Sequence, residues 1–324
     1  MALVADQFPD SIQSDSEPQK FEHPDLTATG ERRAEVALQE LSTLWFNTGT
    51  LCNLECGHCY IESSPSNDRL IYLTLAEVQR FVDELENDTW PTDEIGFTGG
   101  EPFMNPDFID MLECVLSRGF RALVLTNGMR PMMKQSAPLL ELQQKFGDNL
   151  LIRISLDHYD PKLHDAERGR HAWQRTLPGL NWLATHGFNL QVAGRTCWPE
   201  NENELRAGFA KLFDDFNLAI DAMDPAALIL FPEMDPTRDV PEITEACWTI
   251  LDVDPTSMMC ASSRMVEHRK GEANACVVPC TLLPYDKQFD MGQTLGEANR
   301  SVKLNHPYCA EFCVLGGGSC SVHE

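Results

Sequence analysis

Three thiols in eight residues, Cys52-Asn53-Leu54-Glu55-Cys56-Gly57-His58-Cys59, constrain this chain more than any other stretch. Any fold that holds them must present one short loop's cysteines at a common point. The chain has 324 residues and twelve cysteines. In a small exported domain such cysteines would read as a disulfide framework. Here the opening Met1-Ala2-Leu3-Val4-Ala5-Asp6 lacks the basic and long apolar segments of an export signal. The expected location is therefore the cytoplasm, where clustered cysteines more often hold metal. Six more cysteines, at 260, 276, 280, 309, 313 and 320, fall near the end of the chain. Only Cys114, Cys197 and Cys247 stand alone, and they read as structural.

Fifty acidic against twenty-five basic side chains give a net charge of -25. Such a surface repels phosphate backbones and anionic bilayers, so neither nucleic acid nor membrane is an expected partner. No apolar run approaches the roughly 18 residues of a membrane span. At 43% hydrophobic residues, the chain can still build a substantial core.

Three regions follow from the pattern. Residues 1–38 are acidic and proline-interrupted and read as a disordered tail. Residues 39–235 alternate strand-like runs (44–47, 94–97, 122–125, 150–154, 190–193 and 227–231) with helical stretches. Thr74 and Glu77 form a capping signature ahead of Val78, Phe81, Val82 and Leu85. A second helix runs from near Pro106 to Gly119, and further helices fit 137–146, 172–186 and 202–217. Six strands separated by helices describe a parallel α/β architecture, open or barrel-like, with its chemistry at the carboxyl ends of the strands. Residues 236–324 are turn-rich and read as a small metal-stabilised domain.

Three thiolates do not complete a tetrahedral site, and His58 lies awkwardly between two of them for closing a zinc centre. An iron–sulfur cluster held by three cysteines leaves one iron open to a non-protein ligand, as a catalyst requires. At this point a family resemblance becomes specific. C-x3-C-x2-C followed by Tyr60 resembles the cluster motif of the radical S-adenosylmethionine (SAM) superfamily. Thr98-Gly99-Gly100-Glu101-Pro102 resembles that family's GGE motif. Leu125-Thr126-Asn127-Gly128 and Ile154-Ser155-Leu156-Asp157 end strands as in family members, and His164-Asp165-Ala166-Glu167-Arg168-Gly169 resembles a stretch of its peptide-modifying branch. The likeness covers about residues 42–232.

The resemblance implies an α/β fold: a partial (β/α)6 radical SAM barrel with a small cysteine-rich auxiliary-cluster domain after it. It implies a [4Fe–4S] cluster on Cys52, Cys56 and Cys59, whose open iron chelates SAM. SAM would lie against His58, Gly99, Gly100, Ser155, Asp157 and Arg195, with Glu101 orienting the glycine loop. Reductive cleavage of SAM would give a 5′-deoxyadenosyl radical that abstracts a substrate hydrogen, with a flavodoxin or ferredoxin delivering the electron.

Cys260, ten residues, Gly271, four residues and Cys276 resemble the opening of the SPASM or twitch auxiliary-cluster domains. A competing alignment ends instead at Val277-Val278-Pro279-Cys280, with Ala275 in the glycine's place. Six cysteines (Cys260, Cys276, Cys280, Cys309, Cys313, Cys320) are too few for two four-cysteine clusters, so one auxiliary [4Fe–4S] cluster is expected. A second, with an open or histidine-ligated iron (His306 or His323), and structural zinc are the alternatives. The expected activity is oxidation or crosslinking of a peptide or protein side chain. The alternatives are the same chemistry on a small molecule, as a dehydrogenase or cyclase, and a non-catalytic iron–sulfur or zinc protein.

Overall fold

A computed structural model describes residues 19–235 and 237–319. After a two-residue strand, β1 (Glu35–Val36), the run Thr43-Leu44-Trp45-Phe46-Asn47 forms β2. All five of its residues are buried, the pattern of a strand covered on both faces. Then follow α1 (Leu75–Asn87), β3 (Glu94–Thr98), α2 (Phe108–Ser117), β4 (Arg121–Thr126), α3 (Arg130–Lys134), α4 (Ser136–Phe146) and β5 (Leu150–Ser155). The barrel part ends with α5 (Pro161–Arg168), α6 (Ala172–Thr185), β6 (Asn189–Arg195), α7 (Glu202–Asp215) and β7 (Leu228–Phe231). Helix α1 starts where the sequence says it should. Thr74 accepts from the Glu77 amide, Glu77 accepts from the Thr74 amide at 2.8 Å, and Val78, Phe81, Val82 and Leu85 turn inward.

Strands β2 to β7 pair in chain order and all in parallel, the expected half-wound (β/α)6 arrangement. Their carboxyl ends (Asn47, Thr98, Thr126, Ser155, Arg195 and Phe231) therefore share one rim. Helix α5, over the His164–Gly169 stretch, has no counterpart in the sequence reading, because its apolar content is too low to show a periodic face.

Two sequence expectations change in the tertiary structure. The C-terminal segment contributes α8 (Cys247–Leu251), β8 (Ser263–Glu267), β9 (Cys276–Val278), β10 (Val302–Lys303) and a π-helical turn at 309–315. Strand β8 lies parallel to β2, Thr43 opposite Ser263 and Phe46 opposite Val266, and so carries the barrel sheet onward to β9. This region thus completes its fold on an existing sheet edge and a shared hydrophobic core, instead of standing apart from residue 236.

The expected tail is also folded from residue 19 onward; residues 1–18 lie outside the described residues. Strand β1 pairs antiparallel with β10, and Ala34 and Val36 are buried. Arg33 is fully buried, ion-paired to Glu242 at 2.5 Å and donating to the carbonyls of His23, Leu26 and Leu304. Its partners lie some 200 residues away or more, or are backbone oxygens, so local composition could not reveal them. Among the described residues no helix is long and apolar enough to cross a membrane.

Removing one partner of such a buried pair strands the other in a low-dielectric setting. Arg33→Met should lower unfolding free energy in urea by about 3–5 kcal/mol. A loss below about 1 kcal/mol would mean the N-terminal segment is peripheral to stability.

Candidate active site

The cysteine loop leaves the end of β2 and is held from below by the loop after β3. Gly99 has φ +142°, and a Cβ there would sit 2.6 Å from the Gly49 carbonyl oxygen; one on Gly100 would collide with the Leu51 carbonyl. The Gly100 amide donates to Gly49 at 2.8 Å and the Glu101 amide to Leu51 at 3.1 Å. The two glycines are thus demanded by the close pass of the cysteine loop, while they still line the adjoining cavity. Glu101 is buried and accepts from the Thr126 hydroxyl (2.7 Å) and the amides of Asn127 (2.9 Å) and Phe103 (3.3 Å). Burial pushes its carboxyl up to about 7 despite these donors. It ties the ends of β3 and β4 together.

A second clasp closes from the side. Asp157, just past β5, is held by Arg168 through two bonds of 2.6 and 2.9 Å. Both carboxylate oxygens are thereby engaged by a protein partner. Arg168 is desolvated, which alone would disfavour its charge, but Asp157 and the neighbouring thiols hold it firmly protonated. Glu167, the preceding residue, accepts from the His58 amide (3.0 Å), bonds His58 Nδ1 (2.8 Å) and pairs with Arg195 (2.8 Å). Its carbonyl takes the Gly57 amide at 2.9 Å. The hydrogen bond from Glu167 raises the His58 imidazole's affinity for a proton. Arg195 completes the chain with Glu233 at 2.9 Å. Glu167, Arg168 and Glu233 were not among the sequence-derived site residues. The first two lie inside the quoted His164–Gly169 stretch, so the motif carried that signal; Glu233 carried none. In the same stretch, His164 is buried against Trp173, and Asp165 caps α6 through the amides of His171 and Trp173.

Cys52, Cys56 and Cys59 line one cavity of ≈ 190 Å³ together with His58, Gly99, Gly100, Ser155, Asp157, Arg168 and Arg195. All three thiols are free. Burial pushes Cys52 up to about 12 and raises Cys56, the latter opposed by the Arg168 charge. Among the described residues no three potential ligands stand at closed metal-binding spacing. Three free thiols on one cavity wall beside a guanidinium are nonetheless a donor set suited to a soft, anionic iron–sulfur group. The same cavity has an apolar lining from Phe231, Pro232, Met234, Leu282 and Phe312.

Cys260, Cys280, Cys309 and Cys313 line a second, smaller cavity of ≈ 20 Å³, otherwise walled by groups such as Met258, Met259, Val302 and Leu304. Four soft donors in an apolar shell are a donor set suited to an iron–sulfur group, and Cys280, not Cys276, is on this cavity's wall. Cys276 stands apart, paired in register with Glu267 and close to Arg269. His306 packs against Phe289 and Tyr308, and its Nδ1 accepts the Tyr308 amide. Cys320 and His323 lie outside the described residues. Leu282 lines both cavities.

Residues 46–212, more than half of the chain, match the model of the radical SAM superfamily. The chain belongs to that superfamily. Its members use a [4Fe–4S] cluster and SAM. Among curated relatives, the antilisterial bacteriocin subtilosin biosynthesis protein AlbA of Bacillus subtilis (strain 168) is 33% identical over 186 residues, 54% of this chain and 40% of that protein. The AdoMet-dependent heme synthase of Methanosarcina barkeri (strain Fusaro / DSM 804) is 29% identical over 161 residues, 49% of this chain and 43% of that protein. This radical SAM chain thus spans about two fifths of the length of these relatives. Among solved structures, Streptococcus suis SuiB bound to S-adenosylmethionine superposes with a TM-score of 0.57 at 12% identity, covering 79% of this chain and 64% of SuiB. At that identity the likeness establishes the fold.

The raised Glu101 carboxyl has a definite pH signature. The folded chain keeps this proton between about pH 4.5 and 7, where the unfolded chain has lost it, so its contribution to stability falls as pH rises through that window. Glu101→Gln should remove up to about 3 kcal/mol of that pH dependence in urea unfolding of the metal-free chain. Identical pH profiles for the two proteins would contradict the buried, proton-holding role.

Proposed function

We propose that this chain is a radical SAM enzyme that oxidises or crosslinks a side chain of a peptide or protein, with one auxiliary cluster. The observation that carries the reading is that the three thiols of the C-x3-C-x2-C loop share one cavity with the GGE loop and the ends of β5 and β6. Cys52, Cys56 and Cys59 would hold the [4Fe–4S] cluster there. When bound, the cluster and SAM supply one-electron, hydrogen-abstracting chemistry. Backbone at Gly99 and Gly100, the Ser155 hydroxyl and the edge of His58 would cradle SAM, and Arg195 would face its carboxylate. Glu101 and Asp157 act at one remove: one fixes the glycine loop, the other fixes Arg168 beside the thiols. Phe231, Met234, Leu282 and Phe312 form an apolar wall that excludes water from the reacting atoms.

Cys260, Cys280, Cys309 and Cys313 would hold the auxiliary cluster, and Leu282 is the side chain common to both cavities. That proximity suits passage of an electron from an oxidised substrate to the second site. A peptide substrate is supported by the relationship to AlbA, a protein of bacteriocin biosynthesis. The heme synthase relationship favours a small molecule as the second reading. Eleven described cysteines without a disulfide suit a reducing, cytoplasmic setting and a flavodoxin or ferredoxin donor. The domain division we propose sets the barrel at 39–235 and the cluster-bearing extension at 236–324.

Anaerobic iron and sulfide analysis tests the assignment. The reconstituted chain should carry about eight irons, and the Cys52/Cys56/Cys59→Ala variant about four. Cys280→Ala should lose about four, while Cys276→Ala should keep about eight. With dithionite and SAM, 5′-deoxyadenosine should form only where the triplet is intact. Nucleoside formed by the triple variant would end this reading.

A further inference from the structure

Arg264, the second residue of β8, is a buried cation with no acidic partner among the described residues. Its side chain is almost wholly enclosed. Nε donates to the Ala298 carbonyl at 3.0 Å, Nη1 to those of Cys260 (2.6 Å) and Ser263 (2.7 Å), and Nη2 to that of Arg300 at 3.0 Å. Every acceptor is backbone. Among the described residues no carboxylate lies within ion-pair distance of it, whereas buried Arg33 has Glu242, Arg168 has Asp157 and Arg269 has Glu267. The ionisable groups that face it are the thiols of Cys260 and Cys280 and a second cation, Arg300.

Carbonyl dipoles satisfy the guanidinium's hydrogen bonds but supply no net charge. A desolvated charge without an opposite one is strongly unfavourable, so compensation is required from the space beside it. The guanidinium reaches the second cavity through the Cys260 carbonyl it binds, since Cys260 lines that cavity with Cys280, Cys309 and Cys313. Four thiolates around a four-iron core carry two net negative charges, and three after uptake of one electron. A fixed positive charge in a low-dielectric wall favours the more negative state.

We propose that Arg264 is the counter-charge of the cluster bound by these four cysteines and raises its reduction potential, making it a better electron acceptor. The inference rests on the auxiliary-site reading above. The competing role is mechanical: the bonds to Ala298 and Arg300 staple the start of β8 to the 298–300 turn.

The test uses the full chain in the Cys52/Cys56/Cys59→Ala background, so that only the auxiliary site is loaded. Arg264→Gln, Arg264→Met and Arg264→Lys are reconstituted with iron and sulfide, and the reduced signal is followed by electron paramagnetic resonance at poised potentials. The Gln and Met variants should show about a tenfold lower reduced-to-oxidised ratio at fixed potential, a midpoint about 59 mV more negative. The Lys variant should stay near the parent. Iron lost from the Gln and Met variants but kept by the Lys variant would support the same conclusion. Unchanged midpoints in Gln and Met, or iron lost from all three with lowered unfolding midpoints, would reduce Arg264 to a staple and overturn the proposal. Cys280→Ala and Cys309→Ala that still bind about four irons would overturn the auxiliary site itself, whatever Arg264 does.

Discussion

The ion pair between Asp157 and Arg168 is the contact on which the site depends. It joins the exit of β5 to the end of α5, and α5 in turn presents Glu167 to the Gly57–His58 backbone and to Arg195. A buried pair of this kind gains little net stability, because desolvation of both charges offsets most of their attraction. Its value here is positional. Two oxygens matched to a planar guanidinium allow one geometry, and that geometry places a permanent positive charge beside Cys56 and Cys52. With Glu101 fastening the glycine loop beneath, the cysteine loop is held from two directions before any metal arrives.

The second cavity is assembled from more distant parts. The short turn ahead of β8 brings Cys260, the turn after β9 brings Cys280, and the π-helical turn brings Cys309 and Cys313. Val302 and Leu304 wall the same cavity, next to the β10 strand on which β1 is laid, and Arg33 donates to the Leu304 carbonyl. The N-terminal segment thus braces a site near the other end of the chain. Each thiol group has a buried guanidinium near it, Arg168 at the triplet and Arg264 at Cys260, although the chain as a whole carries a net charge of -25.

The strand positions and most helices were legible because they rest on local patterns. The β2 run is centred on Leu44, Trp45 and Phe46, Thr74 and Glu77 cap α1 reciprocally, and β3 to β7 begin and end within a residue or two of the expected runs. The site residues recognised by type, Cys52, Cys56, Cys59, Gly99, Gly100, Ser155 and Arg195, do meet at one cavity, because parallel strands in chain order bring their carboxyl ends to one rim. Asp157 and Glu101 line or adjoin that cavity with their carboxylates already engaged by Arg168, Thr126 and Asn127, which residue type alone could not show.

By itself the sequence determined the alternation that makes a parallel α/β sheet and the thiol spacing that makes a three-cysteine loop, since both are properties of neighbouring residues. Only the tertiary structure decided that residues 19–38 fold back on the end of the chain, that β8 continues the sheet beyond β2, and that Cys280, rather than Cys276, joins Cys260, Cys309 and Cys313. Each of these turns on which distant group fills a buried vacancy. A guanidinium needs an anion, a sheet edge needs a strand, and a thiol's direction depends on its register, and none of these is fixed within the few residues that a local pattern can read.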